Sequence, residues 1–500
     1  MGSRQSAVES TESVDEMNGK PEDNVKRRKW LERREFLGNI GSGLGSIALA
    51  CLMQEASHAA PPVSPLSPKL PMFPGKAKRV LQIFCPGAVS QLDTFDYKPE
   101  LIRMHDQPMP NAPILTFQGG NGNLMKSPYN WSQKGKCGKW VSDMLPEIGE
   151  CVDDIAFIHS LTARSNTHGP GLLQMNTGFV FDGFPSTGSW VTYALGSENQ
   201  NLPAFVVIPD MRGMPPNGPS NWMSGFLPAA YQGTAFNTVE PITDLKPPAG
   251  SSAKEEADLR AFLQTLNSDY DAHNPGYSDL SARVSSYELA ARMQLSAPEV
   301  TDISKESRET LKMYGADDPN PLKAGYARNS ILARRLLERG VRFVELYCGS
   351  RASGVDGLLN WDAHKTLKAD YDRHGPILDQ PTAALLRDLK QRGLLEDTLV
   401  LWTTEFGRMP THQNGTTGRD HNPSGFTCWM AGAGVKGGFS YGETDEFGYK
   451  SVKDVATVYD FHATVLHLLG LDHKKLTYYH DGVNRRLTDV YGEVITPVLA

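Results

Sequence analysis

An α/β protein with a mainly parallel central sheet and helices on both faces is what this sequence predicts, and three observations carry the expectation. Short apolar runs rich in β-branched and aromatic residues recur along the chain, helical stretches with one apolar face lie between them, and carboxylates and histidines gather beside those runs. Open sheets of this kind keep their chemistry at the carboxyl ends of the strands, so the flanking segments are where a site is expected.

Residues 79–84 (RVLQIF) are the first expected strand, and 155–161 (IAFIHSL) and 205–208 (FVVI) the next two. Residues 211–250 carry many Pro, Gly and Asn and read as a long irregular excursion, which in a compact domain is usually functional or a lid. The chain turns helical over 254–340, with Gly340 as its stop, and enters a strand at 341–347 (VRFVELY). From residue 376, Leu378, Leu385, Leu386 and Leu389 share one helical face, Gly393 ends the helix, and 398–404 (TLVLWTT) is an almost wholly apolar strand. Pro381 has to lie in that helix's first turn or kink it. The expected organisation is a leader over 1–59, a Pro-rich linker over 60–77, one α/β domain over 78–490 with an irregular and helical insertion around 211–340, and a tail over 491–500.

The chain has 500 residues, 39% of them hydrophobic, with 50 basic and 57 acidic side chains and a formal net charge of −7. That composition suits a folded enzyme-sized domain and excludes wholesale disorder. With no basic block beyond the N-terminal region, no nucleic-acid partner is expected, because such binding draws mainly on Lys and Arg against phosphates. Outside residues 36–54 no long apolar run occurs, so no integral membrane domain is expected once the leader is removed.

Within the leader, Arg33-Arg34-Glu35-Phe36-Leu37 precedes an uncharged, glycine-diluted stretch and then Ser57-His58-Ala59. This resembles a twin-arginine signal cleaved after Ala59, which implies the twin-arginine export machinery as a partner and a periplasmic or extracellular location. Cys51 after Ala48-Leu49-Ala50 faintly resembles a lipoprotein cleavage site. Cleavage after Ala59 leaves Cys85, Cys137, Cys151, Cys348 and Cys428, an odd set without a CxxC pair. Cys137 and Cys151 could pair in an oxidising compartment; the other reading is that all five are buried small apolar side chains.

The chemistry-bearing residues follow an order. After the strand at 341–347 comes Asn360-Trp361-Asp362-Ala363-His364; after 398–404 comes Glu405-Phe406-Gly407-Arg408; then Gly418-Arg419-Asp420-His421-Asn422-Pro423 precedes an apolar run at 427–430. Mixed Asp/Glu oxygens and His nitrogens from several loops are what a divalent metal such as Zn²⁺, Ca²⁺, Mn²⁺ or Mg²⁺ takes, and the carboxylates and histidines of these three segments match that supply. The same order resembles the C-terminal half of the alkaline-phosphatase-like superfamily. More narrowly, SQLDTFDYKPEL (90–101), HGPGLLQMNTG (168–178), NWDAH, GLLEDTLVLWTTEFGRMP (393–410), GRDHNP and DFHATVLHLLGLD (460–472) resemble the bacterial family of domain of unknown function 1501.

The resemblance implies an alkaline-phosphatase-like three-layer fold. It matches Asp362, His364 and His421 to one metal site, with Asp420 as ligand or orienter, and Glu405 to a position where the superfamily has aspartate; Phe406 stands where a second site would need a ligand. The first strand runs into Cys85-Pro86-Gly87-Ala88 instead of an aspartate, so Asp93 or Asp96 either reaches the site or caps a turn, and the small residues would let a substrate approach the backbone. Thr167, Cys85, Ser90 and Ser165 are the candidate nucleophiles. His168 is expected as a ligand or substrate contact, and Arg408 either clamps an anionic group or pairs with a local carboxylate. The implied function is hydrolysis of phosphate or sulfate esters, on a small-molecule or polysaccharide substrate. The alternatives are a binding protein that has lost its chemistry, and a metal hydrolase acting on another ester or carbohydrate-linked substrate.

Overall fold

The computed structural model describes residues 65–111, 120–236, 298–351 and 357–500, with scattered positions between 252 and 269. The leader, its arginine pair and Cys51 lie outside the described residues.

Among the described residues nine strands form one sheet: β1 (Arg79–Phe84), β2 (Ile155–Thr162), β3 (Phe205–Ile208), β4 (Thr234–Ala235), β5 (Phe343–Tyr347), β6 (Thr398–Thr403), β7 (Phe426–Ala431), β8 (Phe439–Tyr441) and β9 (Ala456–Thr457). Their order is β4-β3-β5-β1-β6-β7-β2-β8, with β9 against β2. All neighbours are parallel except β7, which runs antiparallel to both β6 and β2. The expected α/β class with a mainly parallel sheet is what the chain forms.

Alternate strand residues feed opposite layers, as a strand's two-residue period requires. Leu81 lies in register with Val344 and Val400, and all three pack under α3 (Pro321–Glu338) and α4 (Leu367–Gln391). Val80, Phe343 and Leu399 face the other way, with Leu172 of α1 (His168–Thr177), Val191 of α2 (Thr187–Leu195) and Val465 of α5 (Val458–Leu468). Two apolar cores on either side of one sheet make the three layers. Local signals set the helix starts: Asn320 caps α3 by accepting from the Leu322 amide, and Thr457 with Asp460 forms a capping box on α5.

Two expectations are corrected. Helix α4 begins at Leu367, nine residues before the expected start, so Pro376 and Pro381 are both interior. Each proline removes a hydrogen bond, at a typical cost of about 3 kcal/mol. Burial of Leu367, Tyr371, Leu378, Leu385 and Leu389 offsets that cost, which local propensity cannot register. The cysteines Cys85, Cys137, Cys151, Cys348 and Cys428 are all free; Cys151 is buried while Cys137 is exposed, so the possible Cys137–Cys151 bridge is not formed. Among the described residues no helix is long and apolar enough to cross a membrane.

A polar row crosses the α1 side of the sheet. Gln82 donates to Asn176 Oδ1 at 3.1 Å, Asn176 donates to the Tyr347 hydroxyl at 3.2 Å, and Glu345 stands in register with Gln82, its Oε1 buried without a hydrogen bond. Burial pushes the Glu345 carboxyl from 4.5 up to about 8, against a smaller opposing contribution from Tyr347. The folded state therefore binds this proton more tightly than the unfolded chain. The stability it contributes is full below about 4.5 and is lost as pH rises through about 8. Glu345→Gln is expected to remove that slope, which between pH 5 and 8 amounts to on the order of 3 kcal/mol. Urea midpoints measured across this range would test it; equal slopes in both proteins would rule out Glu345 as the source.

Candidate metal centre

The site is built on the carboxyl edge of the sheet. β1 ends at Phe84 and the chain turns through Gly87, whose φ is +107°; a Cβ there would lie 2.5 Å from the Trp361 nitrogen and 2.6 Å from that of Asp362. The small residues expected to admit a substrate thus admit the chain's own loop after β5, which carries Asp362. Gly418 serves the second crossing, where a Cβ would collide with the His364 carbonyl group. The GRDHNP segment precedes its strand instead of following it, and the reversed direction of β7 is what brings it to the same edge. A two-residue antiparallel ladder then pairs Arg408 with His421.

Four side chains converge there. Asp362 Oδ1 lies 2.9 Å from His364 Nε2, 3.1 Å from His168 Nε2 and 3.3 Å from His421 Nε2, and the His364 and His421 Nε2 atoms are 3.0 Å apart. One donor atom from each of His168, Asp362, His364 and His421 falls within 4.8 Å of the other three. The far edge of every ring faces an oxygen. His168 Nδ1 is 2.6 Å from Glu405 Oε1, His364 Nδ1 is 2.5 Å from Gln413 Oε1, and His421 Nδ1 is 2.6 Å from the Asn166 carbonyl. An oxygen that can only accept requires N–H on Nδ1, which leaves Nε2 as a lone pair. Three imidazole Nε2 atoms around one carboxylate oxygen, with the Nδ1 proton of each ring turned outward, need a cation or a further proton among them. His168 Nε2 shows this directly, being buried and without a well-formed hydrogen bond.

Electrostatics agree. Burial opposes charge on Asp362, but Arg408 and the three histidines around it outweigh it and hold the carboxyl far below the usual carboxylate range. Burial and the Arg408 charge push His421 well below the ordinary imidazole range, so it is neutral. Burial also lowers His168, yet Asp362 and Glu405 outweigh it and push it up to about 9. In the absence of an ion, His168 holds that proton between Asp362 and Glu405.

The structure separates the expected ligands. Asp362, His364 and His421 converge as expected, and His168 joins them. Glu405 instead turns Oε1 to His168 and to the Gly87 amide at 2.8 Å, and so orients a ring. Asp420 accepts from the backbone amide of His421 at 2.8 Å and lies 3.8 Å from His364 Nδ1, outside the converging set. Phe406 is buried against the His168 and His421 rings, at 5.1 and 4.8 Å between centroids, and closes that side with an apolar wall. Arg408, one candidate for clamping a substrate anion, is fully buried and donates to Gly87 O, Ala88 O, Arg419 O and Asp362. Its guanidinium neutralises Asp362 and pins the β1 loop.

The expected nucleophiles differ in their surroundings. Thr167 is exposed at the start of α1, and among the described residues its hydroxyl makes no hydrogen bond to the converging side chains. Ser90 is bonded to Asp93 Oδ2 at 2.5 Å, and burial raises the Cys85 thiol well above its ordinary range. Asp93 is paired with Arg419 at 2.8 Å and Asp96 accepts from Thr444, so neither reaches the centre. Gln413 and the Asn166 carbonyl were missed by the sequence reasoning, since an amide or a carbonyl that orients a ring leaves no motif. His168, at 19%, has the most exposed of the four converging side chains, although its Nε2 is buried; the other three are 10% or less.

Among solved structures, the chain resembles a phosphonate monoester hydrolase from Silicibacter pomeroyi at 12% identity, covering 71% of each chain with a TM-score of 0.33. It also resembles an alkaline phosphatase from the Antarctic bacterium TAB5, at 11% identity over 80% of this chain and 99% of that one, TM-score 0.32. A 2-O GAG sulfatase is similar at 9% identity over 85% and 74%, TM-score 0.34. Among curated proteins none matches. The family model described as "Protein of unknown function (DUF1501)" matches residues 77–499, across both strand-end motifs and the whole sheet, and the chain belongs to that family.

Proposed function

We propose that the protein is an exported, metal-dependent hydrolase of phosphate or sulfate esters, with one divalent ion held by His168, Asp362, His364 and His421. The observation that carries the metal is the outward anchoring of all three Nδ1 atoms, which aims three Nε2 lone pairs and Asp362 Oδ1 at one point. The donor set of nitrogens with one oxygen favours Zn²⁺ or a similar borderline ion over Ca²⁺ and Mg²⁺, which take oxygen. The ester class rests on the resemblance of the NWDAH, EFGR and GRDHNP segments to the alkaline-phosphatase-like superfamily. A bound divalent ion supplies Lewis acidity toward an ester oxygen. Glu405 fixes the ring of His168, Gln413 that of His364, Arg408 holds Asp362 ionised, and Phe406 keeps water from one side.

A binding protein without turnover is the second reading. Two observations favour it: four protein donors are enough to satisfy a four-coordinate ion, and the Arg408 guanidinium is turned to Asp362 and three backbone carbonyls. Metal content by mass spectrometry, measured beside turnover of aryl phosphate and aryl sulfate, separates the two. About one ion per chain with turnover that a chelator abolishes supports the hydrolase. A bound ion without turnover supports the binding protein, and a metal-free chain after reconstitution defeats both.

Because His168 is pushed up to about 9, an entering ion has to displace its proton at lower pH. Binding at pH 7 is expected to release about one proton and to tighten about tenfold per pH unit up to about pH 9. Calorimetry in buffers of different ionisation enthalpy counts the proton; none released would count against His168 as a ligand. For export, Arg33→Lys with Arg34→Lys is expected to retain the folded protein in the cytoplasm, and unchanged export would refute the twin-arginine route.

A further inference from the structure

A second group of potential ligands lies on a different part of the surface. His105 and Asp106 follow the short helix Pro99–Arg103, and His412 lies on the strand Thr411–Gln413, which pairs antiparallel with Asn121–Leu124. Asp106 stands between the two rings: Oδ2 is 3.5 Å from His105 Nε2 and Oδ1 is 3.4 Å from His412 Nε2. Donor atoms of the three residues fall within 4.8 Å of one another, with the ring centroids 6.1 Å apart.

The backbone holds this arrangement. Asp106 has φ +62°, its amide donates to the Leu124 carbonyl at 2.9 Å, and its own carbonyl accepts from the Asn123 side chain at 2.8 Å. His105 Nδ1 lies 3.3 Å from the Leu124 carbonyl and 3.4 Å from the Lys126 amide. The carbonyl can only accept from Nδ1 and the amide can only donate to it, so the two contacts call for opposite tautomers; with either, Nε2 is the ring atom that faces Asp106. Among the described residues His412 Nδ1 is buried and makes no hydrogen bond, while Nε2 faces Asp106. Gly122 leaves room for it, since a Cβ there would stand 3.1 Å from the His412 Cβ.

We propose that His105, Asp106 and His412 form a second divalent-metal site, for Zn²⁺ or a similar borderline ion, with three protein donors and water in the remaining position. Two imidazole nitrogens and a carboxylate oxygen are a donor set for such an ion. The ion ties the segment after Pro99–Arg103 to the Thr411–Gln413 strand, more than 300 residues away in sequence. It also steadies the strand that carries Gln413, whose side chain lies 2.5 Å from His364 Nδ1. The site stands whether or not the centre around Asp362 hydrolyses anything.

The test is calorimetric titration of chelator-stripped, leader-cleaved protein with Zn²⁺ alone, in wild type, Asp106→Asn, His412→Gln and Asp362→Asn. Asparagine tolerates a left-handed backbone, so Asp106→Asn keeps the turn and is the deciding variant if His412→Gln does not fold. Wild type is expected to bind about two ions, with one lost or weakened on the order of tenfold or more in Asp106→Asn and His412→Gln. Asp362→Asn is expected to lose the other. A single ion lost in Asp106→Asn but kept in Asp362→Asn would support this site and count against the centre around Asp362. Folded Asp106→Asn binding the wild-type number of ions with wild-type affinity would overturn it, as would a single wild-type ion that disappears only in Asp362→Asn.

Discussion

Exchanging Asp362 for asparagine is expected to strip the ion from the centre and to lower ester turnover roughly a thousandfold, the equivalent of several kcal/mol of charge stabilisation. Asparagine keeps the shape and one oxygen but not the charge. Around Asp362 Oδ1 stand three imidazoles and the buried Arg408, and the neutral amide leaves Arg408 without its carboxylate and the ion without its anionic ligand. Metal content and turnover should fall together. Retained metal with lost turnover would mean the histidines bind alone. Retained turnover without metal would end the metal-hydrolase reading.

Removing the carboxylate of Asp93 is expected to destabilise the fold by about 3–5 kcal/mol, the usual result of leaving one partner of a buried ion pair uncompensated. Asp93 and Arg419 are both fully buried and meet at 2.8 Å, and Arg419 also donates to the carbonyls of Met409 and Met125. The pair joins two sequence motifs, SQLDTFD and GRDHNP, and Ser90 adds a hydrogen bond to the same carboxylate. Denaturant midpoints for Asp93→Ala, with the double variant Asp93→Ala/Arg419→Met, isolate the charge. The double variant should recover part of the loss, because it removes the stranded guanidinium. A single-variant cost under about 1 kcal/mol would refute the account.

What the sequence determined by itself was periodic and local. Short apolar runs rich in β-branched and aromatic residues marked β1, β2, β3, β5 and β6 to within about two residues, and the order of NWDAH, EFGR and GRDHNP pointed to the edge of the sheet where Asp362, His364 and His421 meet. Tertiary structure decided the rest, because the deciding contacts join residues far apart in the chain. His168 stands 237 residues from the Glu405 that orients it, and His421 takes its orientation from a carbonyl 255 residues away. Arg408 could be read as a substrate clamp or an ion-pair partner until its donors proved to be spent on Gly87, Ala88, Arg419 and Asp362. The direction of β7 decided which edge of the sheet GRDHNP would occupy, and packing on buried leucines decided that α4 runs through two prolines. Residue type states what a side chain can do; which oxygen faces each ring, and which nitrogen is left bare, follows only from how the layers pack.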